Sequence, residues 1–358
     1  MKPLILFITI IIIVYNYFNQ RKTHKFWDKQ PVSKKGTIKN GIISKLPYIK
    51  IIVNDEFKFK YLKLNSICDF DIVFKFINEH FSENYIYNKH FLKQTLLYNG
   101  NGYNLGIFFR NTLIGFIHTK PSNIIIFNKK YFIYYVDFLC VHKKYRNRNL
   151  AAILISKVIN DHYGKTKFFI FKKENKSLPF NYITKTNYYY LNLNFVEQTH
   201  YNKKYINIQF SDNDPYKIYN FINSISQKGK IYQKLNKKMF LDNFNSKHKK
   251  YLIEYDSNRV IKNVIIFIEL NFNQSNIISK TIDIENIYLS SHSTNIFDYL
   301  INYCLNKKIE IISCLDIADN YIIINKYKML KSMPIYYHMY NFHIKDIIKK
   351  NDIFINYL

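Results

Sequence analysis

The most constraining feature of this chain is an apolar strand that leads through a basic turn directly into a helix. Residues 132–141 are almost wholly apolar or aromatic, and apolar side chains then recur at helical spacing from Leu150 to Ile159. The turn between them carries two lysines and two arginines. A helix N-terminus with free N–H groups and flanking arginines binds phosphate through its geometry and its dipole. The sequence therefore predicts a strand over residues 132–141, a helix over residues 149–159, and an anion-binding site where they meet.

The charge of the chain is strongly basic, with a formal net charge of +28 over 358 residues. Such a balance can indicate nucleic acid or an anionic membrane surface. Here the basic residues are spread along the chain, without an RNA-binding signature or an arginine-rich block. Lys, Asn, Ile, Tyr and Phe dominate throughout, which is typical of an AT-rich genome. We therefore expect a solvated lysine-rich surface and no nucleic-acid partner.

The four cysteines show no CxxC pairing and lie mainly in apolar runs. They are predicted to be buried free thiols in a reducing compartment, and no metal site is predicted.

The first eighteen residues differ in composition from the rest. Residues 4–14 are almost wholly apolar, aromatic residues follow to position 18, and Arg21, Lys22 and Lys25 come next. These fifteen mostly apolar residues are fewer than the roughly twenty that a spanning helix needs, although aromatic flanks and tilt can help. Residues 4–18 are predicted to anchor the chain at the cytoplasmic face of a membrane, as a single-pass or interfacial segment. A helix buried in this protein or in a partner is the alternative.

Beyond this segment the chain is predicted to consist of two similar halves. Residues 61–78 recur loosely as residues 205–223, a period of about 145 residues. In each half strands precede a helix, over residues 132–141 and 149–159 and again over residues 282–289 and 294–305. The predicted division is an anchor at residues 1–20, a first half at 21–204 and a second half at 205–358.

Several segments resemble the protein N-myristoyltransferase family. That family's signature reads Glu-(Ile/Val)-Asn-Phe-Leu-Cys-x-His-Lys, and residues 135–143 read Tyr-Val-Asp-Phe-Leu-Cys-Val-His-Lys. Residues 24–32, His-Lys-Phe-Trp-Asp-Lys-Gln-Pro-Val, are similar to its opening motif. Residues 113–117 and 121–124 look like a strand pair leading into the signature, and residues 315–320 and 340–342 look like later family segments. The chain resembles a divergent member from an AT-rich genome, such as a viral one.

The resemblance implies an α/β fold, with tandem GNAT-type acyltransferase halves that form a saddle-shaped mixed sheet. It implies acyl transfer from myristoyl-CoA, a co-substrate, to N-terminal glycines of proteins, with no prosthetic group. The backbone amides of Phe138 and Leu139 would stabilise the oxyanion, and the terminal carboxylate of Leu358 would accept the proton. The acyl-CoA-binding positions carried over are Lys25, Phe26, Trp27, Phe138, Leu139, Cys140, Val141, Arg146, Asn147, Arg148, Asn149, Leu150 and Ala151.

The peptide side departs further from the family pattern. Residues 188–194 read Tyr-Tyr-Tyr-Leu-Asn-Leu-Asn where the family has Tyr-Trp-His-Arg-Ser-Leu-Asn, which leaves Tyr188, Tyr190 and Asn194 as candidate peptide-binding residues. The second family signature, Lys-(Phe/Tyr)-Gly-x-Gly-Asp-Gly, should fall at residues 328–334, where no glycine or aspartate remains. Because glycine permits positive φ and close backbone approach, this loss predicts a remodelled loop and an altered peptide preference.

Three functions stay open at this point. The first is an active membrane-tethered N-myristoyltransferase, and the second is a catalytically degenerate module that binds acyl-CoA or an acylated protein. The third is a basic membrane-associated scaffold, whose lipid binding would fall with salt.

Overall fold

A computed structural model describes residues 24–34, 36–37, 39–45, 48–81, 85–97, 101–196, 207–210, 215–244, 249–274, 277–291 and 293–355. The predicted anchor over residues 1–20, the boundary at residues 204–205 and Leu358 lie outside these residues. Among the residues described, no helix is both long and apolar enough to cross a membrane.

The first half builds a long hairpin with helices on both sides. Its helices are α1 (Ile67–His80), α2 (Lys89–Leu97) and α3 (Leu150–Asp161). Its strands are β1 (Gly41–Ile42), β2 (Phe57–Tyr61), β3 (Tyr85–Ile86), β4 (Tyr103–Phe109), β5 (Thr112–Ile126), β6 (Lys129–Val141), β7 (Phe169–Glu174) and β8 (Thr184–Asn192).

The second half repeats the pattern of a long hairpin, a twelve-residue helix and a following strand. Its helices are α4 (Pro215–Ser226), α5 (Lys237–Phe244), α6 (Asn295–Asn306) and α7 (Asn320–Lys326). Its strands are β9 (Ile208–Phe210), β10 (Ile231–Gln233), β11 (Lys249–Tyr255), β12 (Ile261–Gln274), β13 (Ile277–Leu289), β14 (Ile311–Leu315), β15 (Leu330–Tyr340), β16 (Phe342–His343) and β17 (Ile353–Phe354).

Fifteen of the described strands form one mixed sheet. Its main path is β17-β10-β5-β6-β7-β15-β8-β14-β13-β12-β11-β9, with β2 and β4 beside β5 and with β3 on β12. Each half contributes one short strand that pairs with a long strand of the other half. β10 of the second half pairs with the end of β5, and β3 of the first half pairs with the end of β12. The two exchanged strands are offset by about 145 residues, the period of the sequence repeat. The predicted fold class, tandem α/β halves sharing one sheet, is confirmed.

The helix α3 forms where the sequence predicts it and for the predicted reason. Leu150, Leu154 and Val158 are spaced four residues apart, are almost fully buried and pack against Ile107 and Ile117 of the sheet. Burying one such side chain stabilises the fold by about 2 kcal/mol. Its strand, β6, begins three residues before the predicted start because β5 and β6 form a hairpin.

Three expectations are wrong. Residues 113–117 and 121–124 are not a strand pair, since both lie in the single strand β5. Pro121 has no N–H to donate, and it is tolerated because it lies between the part of β5 that pairs with β4 and the part that pairs with β10. Residues 330–334, part of the predicted loop, begin strand β15, and the turn before them uses Lys328 at φ +47° instead of glycine. All four cysteines are free, but Cys68 is exposed at the first turn of α1.

Candidate active site

The signature segment contains a bulge in β6. The ladder between β5 and β6 pairs Phe116 with Cys140 and then His118 with Asp137, so two residues of β6 oppose one of β5. Phe138 takes a positive φ of 47° at this point. For a residue with a Cβ this conformation costs about 1–2 kcal/mol and persists where the surroundings enforce it, often at functional sites. The bulge therefore interrupts the regular ladder where the oxyanion donors are predicted.

The side chains of the bulge are mostly part of the core, as expected. Phe138 is 3% exposed and packs against Phe81 and Tyr87. Leu139 and Val141 are half-buried beside the core under α3. Burial raises the pKa of the Cys140 thiol to about 12, so this cysteine is not ionised near neutral pH. For Phe138, Leu139, Cys140 and Val141, only the backbone is then available for chemistry.

The basic turn connects β6 to α3 through two asparagines in the left-handed region, Asn147 at φ 68° and Asn149 at φ 59°. The Arg146 guanidinium donates to the carbonyls of Val141 and His80, so it fastens the turn to the end of α1. Arg148 is exposed, with its guanidinium 5.2 Å from the ring centre of Tyr145. Of the two arginines predicted to bind phosphate, Arg146 is therefore hydrogen-bonded to backbone carbonyls, whereas Arg148 contacts no carbonyl among the described residues.

A cavity of ≈ 200 Å³ adjoins the first turns of α3. It lies between Lys25 and Phe26, two predicted acyl-CoA-binding residues, and Ala152 and Ile153 of the helix, and Lys29 and Lys50 add positive charge. Trp27 does not line it; its ring instead packs against Phe171 and Phe180 in the core. Of the predicted acyl-CoA residues, Leu150 is likewise buried in the core, and Ala151 is half-buried. An opening with cationic and apolar walls beside a helix N-terminus suits a phosphorylated, partly apolar ligand.

One face of the sheet carries a continuous row of polar side chains across seven neighbouring strands, from β5 to β13. Residues opposite each other in a ladder point to the same face, and the pairings link each strand of the row to the next. We call this set the polar row; its members are Lys120, Tyr135, Asp137, Lys172, Tyr337, Tyr188, Ser313 and Asp283. Motif comparison missed the charged members, although Lys and Asp inside apolar strands are a signal, since such residues are rarely buried unless paired.

The charges of the polar row interact across the sheet. Lys120 is 2% exposed, and its burial lowers its pKa to about 8 against the attraction of Asp137. Burial also lowers the pKa of Lys172, but Tyr337, Asp137 and Asp283 raise it, and the net direction is upward. Burial raises the pKa of Asp283 to about 6, although hydroxyl donors oppose this shift. The row thus holds cations and carboxylates that are coupled to one another away from water.

The candidate peptide residues fall in two places. The Tyr188 hydroxyl donates to Asp283, which also accepts from Ser313 at 3.0 Å. Tyr190 is half-buried and faces Ser313 across the β8–β14 ladder. Asn194 is exposed in the short 3-10 helix after β8, away from the ladder. The structure therefore brings Tyr188 and Tyr190 to the polar row and leaves Asn194 at the surface.

The end of the described chain packs against the same region. Ile353 and Ile355 are buried in one core cluster with Tyr135, Ile170 and Tyr337 of the neighbouring strands. The predicted base, Leu358, lies outside the described residues.

Comparison with known proteins bears directly on these elements. The family model described as "Myristoyl-CoA:protein N-myristoyltransferase, N-terminal domain" matches residues 38–169, which include β5, the bulge, the basic turn and α3. A chain from Amsacta moorei entomopoxvirus, which carries the name glycylpeptide N-tetradecanoyltransferase provisionally, is 28% identical over 169 residues, 45% of this chain and 54% of its own length. The Drosophila melanogaster glycylpeptide N-tetradecanoyltransferase is 28% identical over 155 residues, 38% of this chain and 33% of its own. Over these residues the chain is similar to the N-myristoyltransferase family.

The matched segments span about half or less of these relatives, whereas the folds agree over nearly the whole chain. A crystal structure of Saccharomyces cerevisiae N-myristoyltransferase with bound myristoyl-CoA superposes with a TM-score of 0.80 at 15% identity, and covers 94% of this chain and 99% of that one. A second structure of the yeast protein with bound myristoyl-CoA gives 0.78 at 15% identity. At this identity the likeness shows the N-myristoyltransferase fold. One of these relatives is viral, in keeping with the resemblance to a viral member of the family.

Proposed function

We propose that the chain transfers the myristoyl group of myristoyl-CoA to the amino group of an N-terminal glycine in proteins. The observation that carries this proposal is the left-handed bulge at Phe138. It lies inside the segment that matches the family model, and the strand that contains it leads directly into α3 and its cavity. Proteins named glycylpeptide N-tetradecanoyltransferase share this segment.

The acyl-CoA binds, in this proposal, between residues 25–27 and the start of α3. Lys25, Lys29 and Lys50 supply positive charge at the cavity, and Arg148 supplies more at the turn. Free N–H groups at the start of α3 add donors for phosphate. The apolar wall contributed by Ile153 suits the less polar parts of the ligand.

The chemistry is a direct attack of the glycine amine on the thioester carbonyl. The new C–N bond forms as negative charge builds on the carbonyl oxygen, and the C–S bond then breaks to release CoA as its thiol. Backbone N–H groups of Phe138 and Leu139 stabilise the oxyanion, an effect worth several kcal/mol for preorganised donors. The Phe138 N–H already donates to Asp137 Oδ1 at 2.9 Å. To stabilise the oxyanion, this N–H either donates to both oxygens or breaks its bond to Asp137. No side-chain nucleophile takes part, in keeping with the protonated thiol of Cys140.

The proton leaves the amine for the terminal carboxylate of Leu358, as the family resemblance implies. What supports this role is the burial of Ile355 in the cluster that contains Tyr135 and Tyr337 of the polar row. The acceptor peptide then lies along the polar row, with Tyr188 and Tyr190 among its contacts. The second half helps to form this groove through Tyr337, Ser313 and Asp283, and residues 4–18 hold the enzyme at the cytoplasmic face of a membrane.

Intact-mass measurement tests the proposal most directly. The full chain is incubated with myristoyl-CoA and a peptide that begins with glycine, and a matched peptide that begins with alanine is the control. An added myristoyl mass on the glycine peptide alone is expected. If several glycine peptides gain no mass while myristoyl-CoA binds, the degenerate acyl-CoA-binding module replaces the transferase.

A further inference from the structure

Four short segments that are distant in sequence meet at one end of the sheet. We call them the basic edge; they are residues 39–45, 127–132, 163–167 and 345–349. The Thr166 hydroxyl donates to the carbonyl of Phe132 at 3.1 Å. The side-chain amide of Asn341 donates to the carbonyls of Lys167 and Ser44, in both cases at 2.8 Å. These hydrogen bonds join the start of β6, the approach to β7 and the segment after β1 into one surface.

The charge of the basic edge has one sign. Each of its four segments contains two lysines, and all eight are exposed. Asp346 is the only acidic residue in the four segments. None of the eight lysines forms an ion pair with another residue that the structure describes. A surface of unpaired cations attracts a polyanionic partner, either an anionic lipid surface or a nucleic acid.

Exposed apolar side chains distinguish this edge from the solvated lysines elsewhere. Six of the fifteen large apolar side chains that are exposed in the described chain lie on it: Ile42, Ile43, Phe127, Phe132, Tyr163 and Ile347. Three of them are isoleucines, which offer no planar surface for stacking on bases. Apolar side chains beside lysines are instead typical of a surface that lies in the boundary between headgroups and acyl chains.

We propose that the basic edge docks on an anionic lipid bilayer. Ile42, Ile43 and Phe132 enter the boundary of the acyl chains, and the lysines contact the headgroups, with their aliphatic stems against the apolar side chains. This surface is formed by the folded part of the chain, so it is separate from the anchor proposed at residues 4–18. It does not depend on the transferase activity.

The position of the basic edge fixes which part of the proposed acyl-CoA site faces the bilayer. The helix α3 ends at Asp161, two residues before the edge begins at Tyr163. Its twelve residues span about 18 Å, and the cavity adjoins its first turns. Docking at the edge therefore places the far end of α3 at the bilayer and keeps the basic turn in water, where charged acyl-CoA phosphates are soluble.

Fluorescence quenching on the full chain tests the proposal. A fluorophore is attached at Phe132→Cys, in a Cys68→Ser background because Cys68 is the exposed cysteine of the chain and the other three are buried. The vesicles contain phosphatidylserine and a lipid with a nitroxide on its acyl chain. We expect quenching at position 132, which weakens with added salt and with phosphatidylcholine-only vesicles.

Phe195→Cys is the matched control. Phe195 is 85% exposed and follows the end of β8. Because β6 is parallel to β7, and the β7–β15 and β15–β8 pairings are both antiparallel, β8 runs in the direction of β6. The end of β8 therefore lies at the other end of the sheet from Phe132, and a fluorophore there should not be quenched. An anchor at residues 4–18 alone gives no reason for this difference.

Charge variants test the role of the lysines. Lys165→Gln with Lys167→Gln should raise the lipid concentration for half-maximal quenching at position 132 by about tenfold or more, since each lysine near an anionic surface changes the affinity by about fivefold. Lys307→Gln with Lys308→Gln removes the same charge from the corresponding turn after α6. This control pair should change that concentration by about twofold or less.

The proposal is overturned if position 132 is not quenched while the chain sediments with the vesicles, or if positions 132 and 195 are quenched equally. Equal effects of the two lysine pairs would also overturn it, because net charge alone would then explain the binding. A fluorophore at position 132 that ignores vesicles but responds to a short duplex RNA would identify nucleic acid as the partner instead. None of these measurements involves acyl transfer, so their outcome is independent of the transferase proposal.

Discussion

The buried carboxylate of Asp316 fastens the end of the chain to the sheet, and its removal should weaken both the fold and the reaction. Asp316 is 1% exposed. Its Oδ1 accepts the backbone N–H of Asn187 on β8 at 2.7 Å, and its Oδ2 lies 2.5 Å from Nζ of Lys350. The backbone N–H of Ala318 donates to the carbonyl of Lys350, and Lys350 begins the segment that leads to Ile355. One side chain therefore links β8 to the terminal segment.

The magnitude follows from these contacts. Asp316→Ala leaves the N–H of Asn187 without its acceptor, which costs about 1–3 kcal/mol for a buried donor. The pair with Lys350 adds at most about 1 kcal/mol, because that lysine is 40% exposed and its charge is screened. A total loss of about 1–4 kcal/mol in the free energy of unfolding is expected. Asp316→Asn keeps an acceptor for the N–H and should cost about 1 kcal/mol.

Urea unfolding of the wild type and both variants measures the change. Acyl transfer and acyl-CoA affinity are measured in parallel, below the unfolding transition. Transfer should fall more than acyl-CoA affinity in Asp316→Ala, since the terminal segment is loosened while the cavity at α3 is untouched. If Asp316→Asn is as destabilising as Asp316→Ala, the charge rather than the N–H acceptor dominates, and the reasoning is refuted. Equal stability of all three proteins would refute it as well.

Three further predictions concern the cavity, the polar row and the N-terminus. Arg148→Ala should weaken acyl-CoA binding by roughly 1.5–3 kcal/mol without lowering stability. Arg146→Ala should also lower the midpoint of thermal unfolding, because it loses two hydrogen bonds to backbone carbonyls. Equal effects of the two variants on binding by calorimetry and on thermal unfolding would contradict this difference. The pKa of Asp283 is raised from 3.8 to about 6, so the folded state binds the proton more tightly, and the free energy of unfolding should fall as pH rises from about 4 to about 6. Asp283→Asn should flatten that part of the stability profile, and an unchanged slope would argue against the shift. Deleting residues 4–18 should move the protein from the membrane pellet to the supernatant, and a full-length protein found only in the supernatant would count against the anchor.

The sequence determined the elements whose causes are local. The strand β6, the basic turn and α3 follow one another within thirty-three residues, and their apolar spacing, basic side chains and helical period are all visible in that stretch. The repeat of about 145 residues likewise predicted two halves with the same order of elements. The motif at residues 135–143 pointed to the family for the same reason, since a contiguous motif survives when the rest of the chain has changed.

The tertiary structure alone decided which distant residues share an environment. The polar row gathers side chains from seven strands spread between Lys120 and Tyr337, and no spacing in the sequence predicts that they face one another. Trp27 was assigned to the ligand by its motif, but packing placed its ring in the core. Residues 330–334 contain no glycine where the family pattern has a glycine-rich loop, and they form the start of β15 because they pair with β8. Burial and pairing depend on the closed sheet as a whole, and so the charges that tune the site became visible only when the two halves were brought together.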